Sequence, residues 1–129
     1  MIAPTVTAVL VSAIGPAHGA IAPTVARDAA DLVAFAARFD DSIEVYSSDP
    51  VDELLVLTPT LGPGHVALLF APEGCGHADA ELVVDGSSVR VRLLAEPEYD
   101  RFRGAHPVRY AVGFVVTEAS LPPGYRLEG

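Results

Sequence analysis

Lysine is absent from this chain: its eight positive side chains are all arginine, set against 17 acids for a formal net charge of -9 at pH 7. That balance argues against sequence-independent nucleic-acid binding, because phosphate contact needs a dense basic surface. Cysteine occurs once, at Cys75. No internal disulfide framework is then available, and a reducing, cytoplasmic address is favoured. Long apolar runs are missing too. The N-terminal one is broken at Gly15 and Pro16, well short of the roughly 20 residues of a membrane-spanning helix. The first 26 residues carry no charge, and TVTAVLVSAI followed by AHGA has the outline of a short secretory h-region with a cleavage site. The basic n-region is lacking and Pro16 intervenes, so a buried first strand is the expectation instead. No internal repeat, low-complexity tract or clear linker is present.

What remains is a chain of 129 residues, 50% hydrophobic. That length suits one domain, or a small domain with a structured extension, and a core that needs no disulfide or metal. Charge is uneven along it. Residues 1 to 86 have a net charge of -10, whereas residues 87 to 129, with six arginines against five acids, have +1.

The clearest pattern is TVARDAADLVAFAARFDDSIEVYSSD at residues 24 to 49. Val25, Ala29, Leu32, Val33, Ala36 and Phe39 recur at spacings of three and four, after which Ile43 and Val45 alternate with Glu44 and Tyr46. The spacing predicts a helix capped by Thr24 and running to about Phe39, then a strand over 42 to 47. Thr5 to Ile14 reads as a strand covered on both faces. Asp49 and Pro50 mark a second helix start, with Asp52 and Glu53 favourably placed against the helix dipole; the LLVL that follows suits a short helix or, nearly as well, a strand. Pro59 stops it, LGPG turns, and His65 to Ala71 is a strand. Glu81 to Val84 and Val89 to Leu94 flank DGSS as a hairpin, with Arg90 and Arg92 on one face and Val89, Val91 and Leu93 on the other. Pro107 to Glu118 is the final strand, and LPPGYRLEG a tail with little drive to fold.

Two segments resemble the HPr family of phosphocarriers. TVARDAADLVAFAARFDDSIEV (24 to 45) is similar to that family's LHARPAA-type helix start, first helix and second strand, and ELLVLTPTLGPGHVALLFAPEG (53 to 74) to its short helix, LG turn and strand. The resemblance spans residues 5 to 80. It implies an open-faced sandwich, and a binding surface around the helix start. Val25 stands where the family has its phosphoryl-accepting histidine, Asp28 where it has proline, and Glu53 at the regulatory serine; Arg27 alone matches, at the phosphate-binding arginine. A valine has no lone pair with which to attack phosphorus, so phosphorelay through this position is chemically impossible. What the resemblance implies is a relative that acts by binding partners. The loop before the short helix is also shorter than in the family, and HADAELVV is too brief for its last helix.

Other candidate chemistry is sparse. His18, in the glycine-flanked loop GPAHGA, is a weak catalytic candidate that can reach the helix start and Arg27. Cys75 and His77 are spaced as two metal ligands, but no second pair accompanies them and no metal is expected. The acids at 40, 41 and 44, and at 49, 52 and 53, read as caps and solvated charge. Arg90, Arg92, Arg101, Arg103 and Arg109 are candidates for a joint carboxylate or phosphate site, since arginine's planar fork favours such anions. With Leu32, Val33 and Phe39 inward, Ala26, Ala30, Ala34, Phe35 and Ala37 cover the opposite side, with Phe35 as the anchor of a partner patch or a face buried by later residues.

The expectation is therefore an α+β fold, a mainly antiparallel sheet with two helices on one face, HPr-like over residues 1 to 78, plus a C-terminal β extension over 79 to 129. The expected function is that of a non-catalytic interaction or regulatory protein without a cofactor, binding through Arg27, Phe35, Glu53, Arg90 and Arg92. A protein partner or homodimer is expected, and no nucleic acid or membrane. The alternatives are a small enzyme or anion-binding accessory protein using His18, Arg27 and the C-terminal arginines, and an unrelated assembly or inhibitor protein.

Overall fold

A computed structural model of the chain describes residues 4–16, 19–42, 49–74, 77–95 and 108–129. Among the described residues eight strands and two α-helices follow one another as β1 (Val6–Pro16), β2 (Thr24–Ala26), α1 (Ala29–Ala36), α2 (Pro50–Leu55), β3 (His65–Phe70), β4 (Glu73–Gly74), β5 (His77–Asp85), β6 (Ser88–Ala95), β7 (Val108–Thr117) and β8 (Arg126–Glu128). The coarse class is α+β with mainly antiparallel pairing.

The main sheet runs β1-β7-β3-β2, with the short β4 also paired to β7. Every pairing in it is antiparallel. Residues after position 78 thus supply its most heavily paired strand, β7, rather than an addition at its margin. The second sheet is β5-β6-β8, a hairpin with β8 added parallel to β6. The turn between β5 and β6 follows the DGSS reading, with Gly86 at φ 63°, a backbone state that favours glycine.

Side-chain parity along β3 and β7 builds two cores on the two faces of one sheet. Ala67, Leu69, Ala111 and Val115 pack with Leu32, Phe35, Phe39 and Leu54 under the helices. Val66, Leu68, Phe70, Val112, Phe114 and Val116 pack with Ala80 and Val89 of the hairpin. The result is three layers, helices on sheet on hairpin, so the expected open face is in fact covered. This explains the unbroken apolar runs VALLF and YAVGFVV, since a strand buried on both faces has no reason to alternate. Each core holds an edge-to-face aromatic pair, Phe35 with Phe39 at 5.6 Å between centroids and Phe70 with Phe114 at 6.1 Å.

Several local expectations change. Thr24 caps no helix: Thr24–Ala26 pairs with β3, and Asp28 is the N-cap of α1, its Oδ1 accepting from the Asp31 N–H at 2.9 Å. An extended Thr24–Ala26 gains ladder hydrogen bonds that outweigh one more helical turn. After Ala36 the chain tightens into a 3-10 segment, Ala37–Ser42. At α2 the expected start holds, with Asp49 as N-cap and Pro50 in the first turn, and the brief apolar run is a helix. β1 is an edge strand, Val6 and Val9 being 41% and 47% exposed, and not the doubly covered strand expected. The segment after β7 is no idle tail. Leu121 is buried, Tyr125 and Leu127 pack on the hairpin core, and Arg126 N–H donates to the Ser87 carbonyl at 2.8 Å. The strand expected over 42 to 47 falls largely outside the described residues.

Candidate functional site

At the end of the main sheet where β3 stops and β7 starts, a cavity of about 420 Å³ opens between the two sheets. Its wall comes from the segment Ala20 to Pro23 ahead of β2, from Phe70, Ala71 and Pro72 at the end of β3, from Val91 of β6 and from Gly129. Among the described lining residues only two carry charged side chains, Glu73 and Arg109. The volume falls within the range of small-ligand pockets, about 300 to 1,000 Å³, as does the mixture of an apolar wall with few polar groups.

Local chemistry explains why the wall stands where it does. Residues 19 to 23 form no ladder of their own, so their backbone carbonyls need donors from elsewhere. Two arginines provide them: Arg109 Nη2 donates to the Gly19 carbonyl, and Arg38 Nη1 donates to the Ala22 carbonyl at 3.0 Å. Arg38 also lies over the Phe35 ring, 5.8 Å from its centroid. Ala71 and Pro72 interrupt β3 before β4, and the Ala71 carbonyl accepts from Arg109 Nη1 at 2.6 Å.

Arg109 is the unusual group. It is only 4% exposed, among residue types that are seldom fully buried unless paired. Two of its partners are neutral carbonyls, and the third, Glu73 Oε1, stands 3.4 Å from Nη2 on a side chain that is 52% exposed. Among the described residues its Nε–H has no hydrogen-bond partner, and the atom is closed to solvent. An unsatisfied buried donor costs about 1 to 3 kcal/mol, more when the group is charged. A guanidinium in this state retains both charge and donor capacity for an anion.

Of the described residues singled out from sequence, Arg109 lines this cavity, whereas Arg27, Phe35, Glu53, Arg90 and Arg92 do not. Arg27 lies toward the opposite end of the main sheet, where β3 starts and β7 ends, bound through Nη1 and Nη2 to Glu118 at 3.1 Å and 2.8 Å. The hydrogen bonds to Arg27 hold the Glu118 carboxyl below the usual range, and the same pair raises Arg27 further. Arg27 is thus paired with a carboxylate of the turn after β7, on a side chain that stays 60% exposed. Phe35 is 1% exposed and belongs to the helix-side core, so it anchors no partner patch; Val33, expected inside, is 42% exposed. The inward set is Leu32, Phe35, Ala36 and Phe39, which keeps three of the expected positions and holds Phe35 in place of Val33.

Glu53 sits half-buried in the first turn of α2. Arg90 and Arg92 project from the exposed face of the hairpin, as expected, and Arg92 pairs with Glu81 across the strands. His18, Cys75, Arg101 and Arg103 lie outside the described residues. Among the described residues no group of three or more His, Cys, Asp or Glu is arranged to hold a metal ion, and no helix is long and apolar enough to cross a membrane.

Arg109 was legible only as one arginine of five. Its signal is a lone charge inside the otherwise apolar run VRYAVGFVV. Arg38 had no signal, since a charge at the end of a helix is ordinary. Comparison of the chain with protein-family models, curated proteins and solved structures gives no significant match.

Proposed function

We propose that this chain is a non-catalytic binding protein whose ligand is a small molecule held in the cavity beside Arg109. One observation carries the reading: Arg109, a buried guanidinium whose Nε–H is unpaired among the described residues, is one of the residues lining a cavity of about 420 Å³ whose other described lining is apolar apart from Glu73. Among the described lining residues no nucleophile stands beside a base. Nucleophilic or acid/base catalysis needs a nucleophile with a base within reach, and the wall offers one glutamate already facing an arginine. This favours the anion-binding alternative over an enzyme, with Arg109 in the place given to Arg27.

The test uses isotope-labelled alanine methyl groups, because Ala20, Ala22 and Ala71 all line the cavity. Compounds from a small-molecule library should shift these three methyl signals together, and Ala22→Trp, which crowds the exposed rim, should abolish the shifts without unfolding the chain. A library that never moves them would sink the reading.

A second reading is the HPr-like docking protein without phosphotransfer. Its support is that α1 and α2 cover the same face of an antiparallel sheet. Incubation with phosphoenolpyruvate and the general phosphotransfer enzyme tests it, and stable phosphohistidine at His18 would defeat it.

A further inference from the structure

Resting on the reading of the cavity as a ligand site, we infer that its ligand is a monocarboxylate with an apolar body, and that Glu73 competes with it for Arg109. The argument begins with the arginine fork. A guanidinium presents five N–H donors in one plane, and Nε–H lies parallel to an Nη–H, so that the two oxygens of one carboxylate fill the edge together. In Arg109 the carbonyls of Ala71 and Gly19 engage Nη1 and Nη2. Glu73 gives Nη2 one oxygen at 3.4 Å, the outer limit of a hydrogen bond, and gives Nε none. The fork is therefore half used, by a carboxylate that reaches it poorly.

Charge narrows the class. Among the described residues, Arg109 is the sole cationic side chain of the lining and Glu73 the sole anionic one. A single negative charge matches a single guanidinium, whereas a phosphate dianion would bring excess charge into an apolar wall that cannot solvate it. The glutamate side chain is 52% exposed and has room to turn into solvent when another carboxylate arrives. The remainder of the ligand meets Ile21, Pro23, Phe70 and Val91, which offer contact area but no hydrogen-bonding side chain.

The experiment titrates the whole chain with three acid and amide pairs of increasing size: hexanoate and hexanamide, benzoate and benzamide, 2-naphthoate and 2-naphthamide. Binding is followed at the alanine methyl signals of the cavity. At least one acid should bind about 10-fold or more tightly than its amide, the strength of a charge-assisted pair over a neutral one. Glu73→Gln removes the competitor from an exposed position and should tighten the acid by about 3- to 5-fold while leaving the amide unchanged. Arg109→Lys should erase the preference; its circular dichroism is recorded alongside, and Glu73→Gln carries the test if that variant does not fold. Acid and amide binding equally, or an acid weakened by Glu73→Gln, overturns the carboxylate while the cavity stands. No shift with any of the six compounds overturns this inference, and the library screen then decides whether the cavity reading falls with it.

Discussion

Single residues hold the junctions of this fold, and their contributions are separable. Asp28 and Asp31 cap α1 from both sides: Asp28 Oδ1 accepts from the Asp31 N–H, and Asp31 Oδ2 accepts from the Arg27 N–H at 2.8 Å. Asp28→Ala should lower stability by about 1 kcal/mol and Asp28→Asn by much less, measured by urea unfolding, because asparagine still offers an oxygen to the cap. Equal losses would show that the charge, and not the cap, matters. Glu118 gives the pH dependence. Its folded-state pKa is depressed by the Arg27 hydrogen bonds, so its contribution is present above the ordinary glutamate value and is lost as pH falls through the folded one. The stability gap between the native chain and Glu118→Gln should accordingly narrow from about pH 7 to about pH 3, and a constant gap would contradict the pairing. Tyr125 acts at the other end of the scale. Burial raises its pKa, and the stability this gives is present below the ordinary tyrosine value and lost as pH rises through the higher folded one.

At the scale of elements, the close approach of the turn after α2 to the central sheet depends on a missing side chain. A Cβ built on Gly113 of β7 would lie 2.6 Å from Leu57 Cδ1 and 3.2 Å from Leu69 Cδ2. Leucine tips can move, so Gly113→Ala should cost about 1 to 2 kcal/mol rather than abolish folding. Combined with Leu57→Ala, whose smaller side chain makes room, the double variant should lose less than the sum of the two, as a double-mutant cycle in urea would measure. Strict additivity would mean that the two residues do not meet. The helix periodicity of 29 to 39 was legible, but its phase was not: Val33 directly follows Leu32, alanines stand on several faces, and nothing local chooses Phe35 over Val33. The sheet chooses, because Phe35 and Phe39 together fill the space above Ala67 and Ala111.

Across the whole molecule, β3 and β7 are shared by both cores, and no layer can unfold while leaving the other its wall. Leu54→Ala on the helix side and Leu68→Ala on the hairpin side should each cost about 2 to 5 kcal/mol. Both should lower a single transition seen alike by near- and far-ultraviolet circular dichroism, and two separate transitions would refute the shared sheet as the unit of cooperativity. Sequence by itself determined the elements whose signals are local: the α2 start at Asp49 and Pro50, the glycine turn of the β5–β6 hairpin with its arginines outward, and the strands 65 to 70 and 108 to 117. Charge patterning also pointed at the later arginines as candidates for an anion. Tertiary structure alone decided which strands neighbour one another, which face of α1 is inward, and that Arg109 rather than Arg27 is the buried cation. Those outcomes depend on pairings between residues as distant as β1 and β7, and long-range pairing leaves no periodic trace in the segments that make it. An arginine reads the same in a sequence whether its neighbours in space are water or the walls of a cavity.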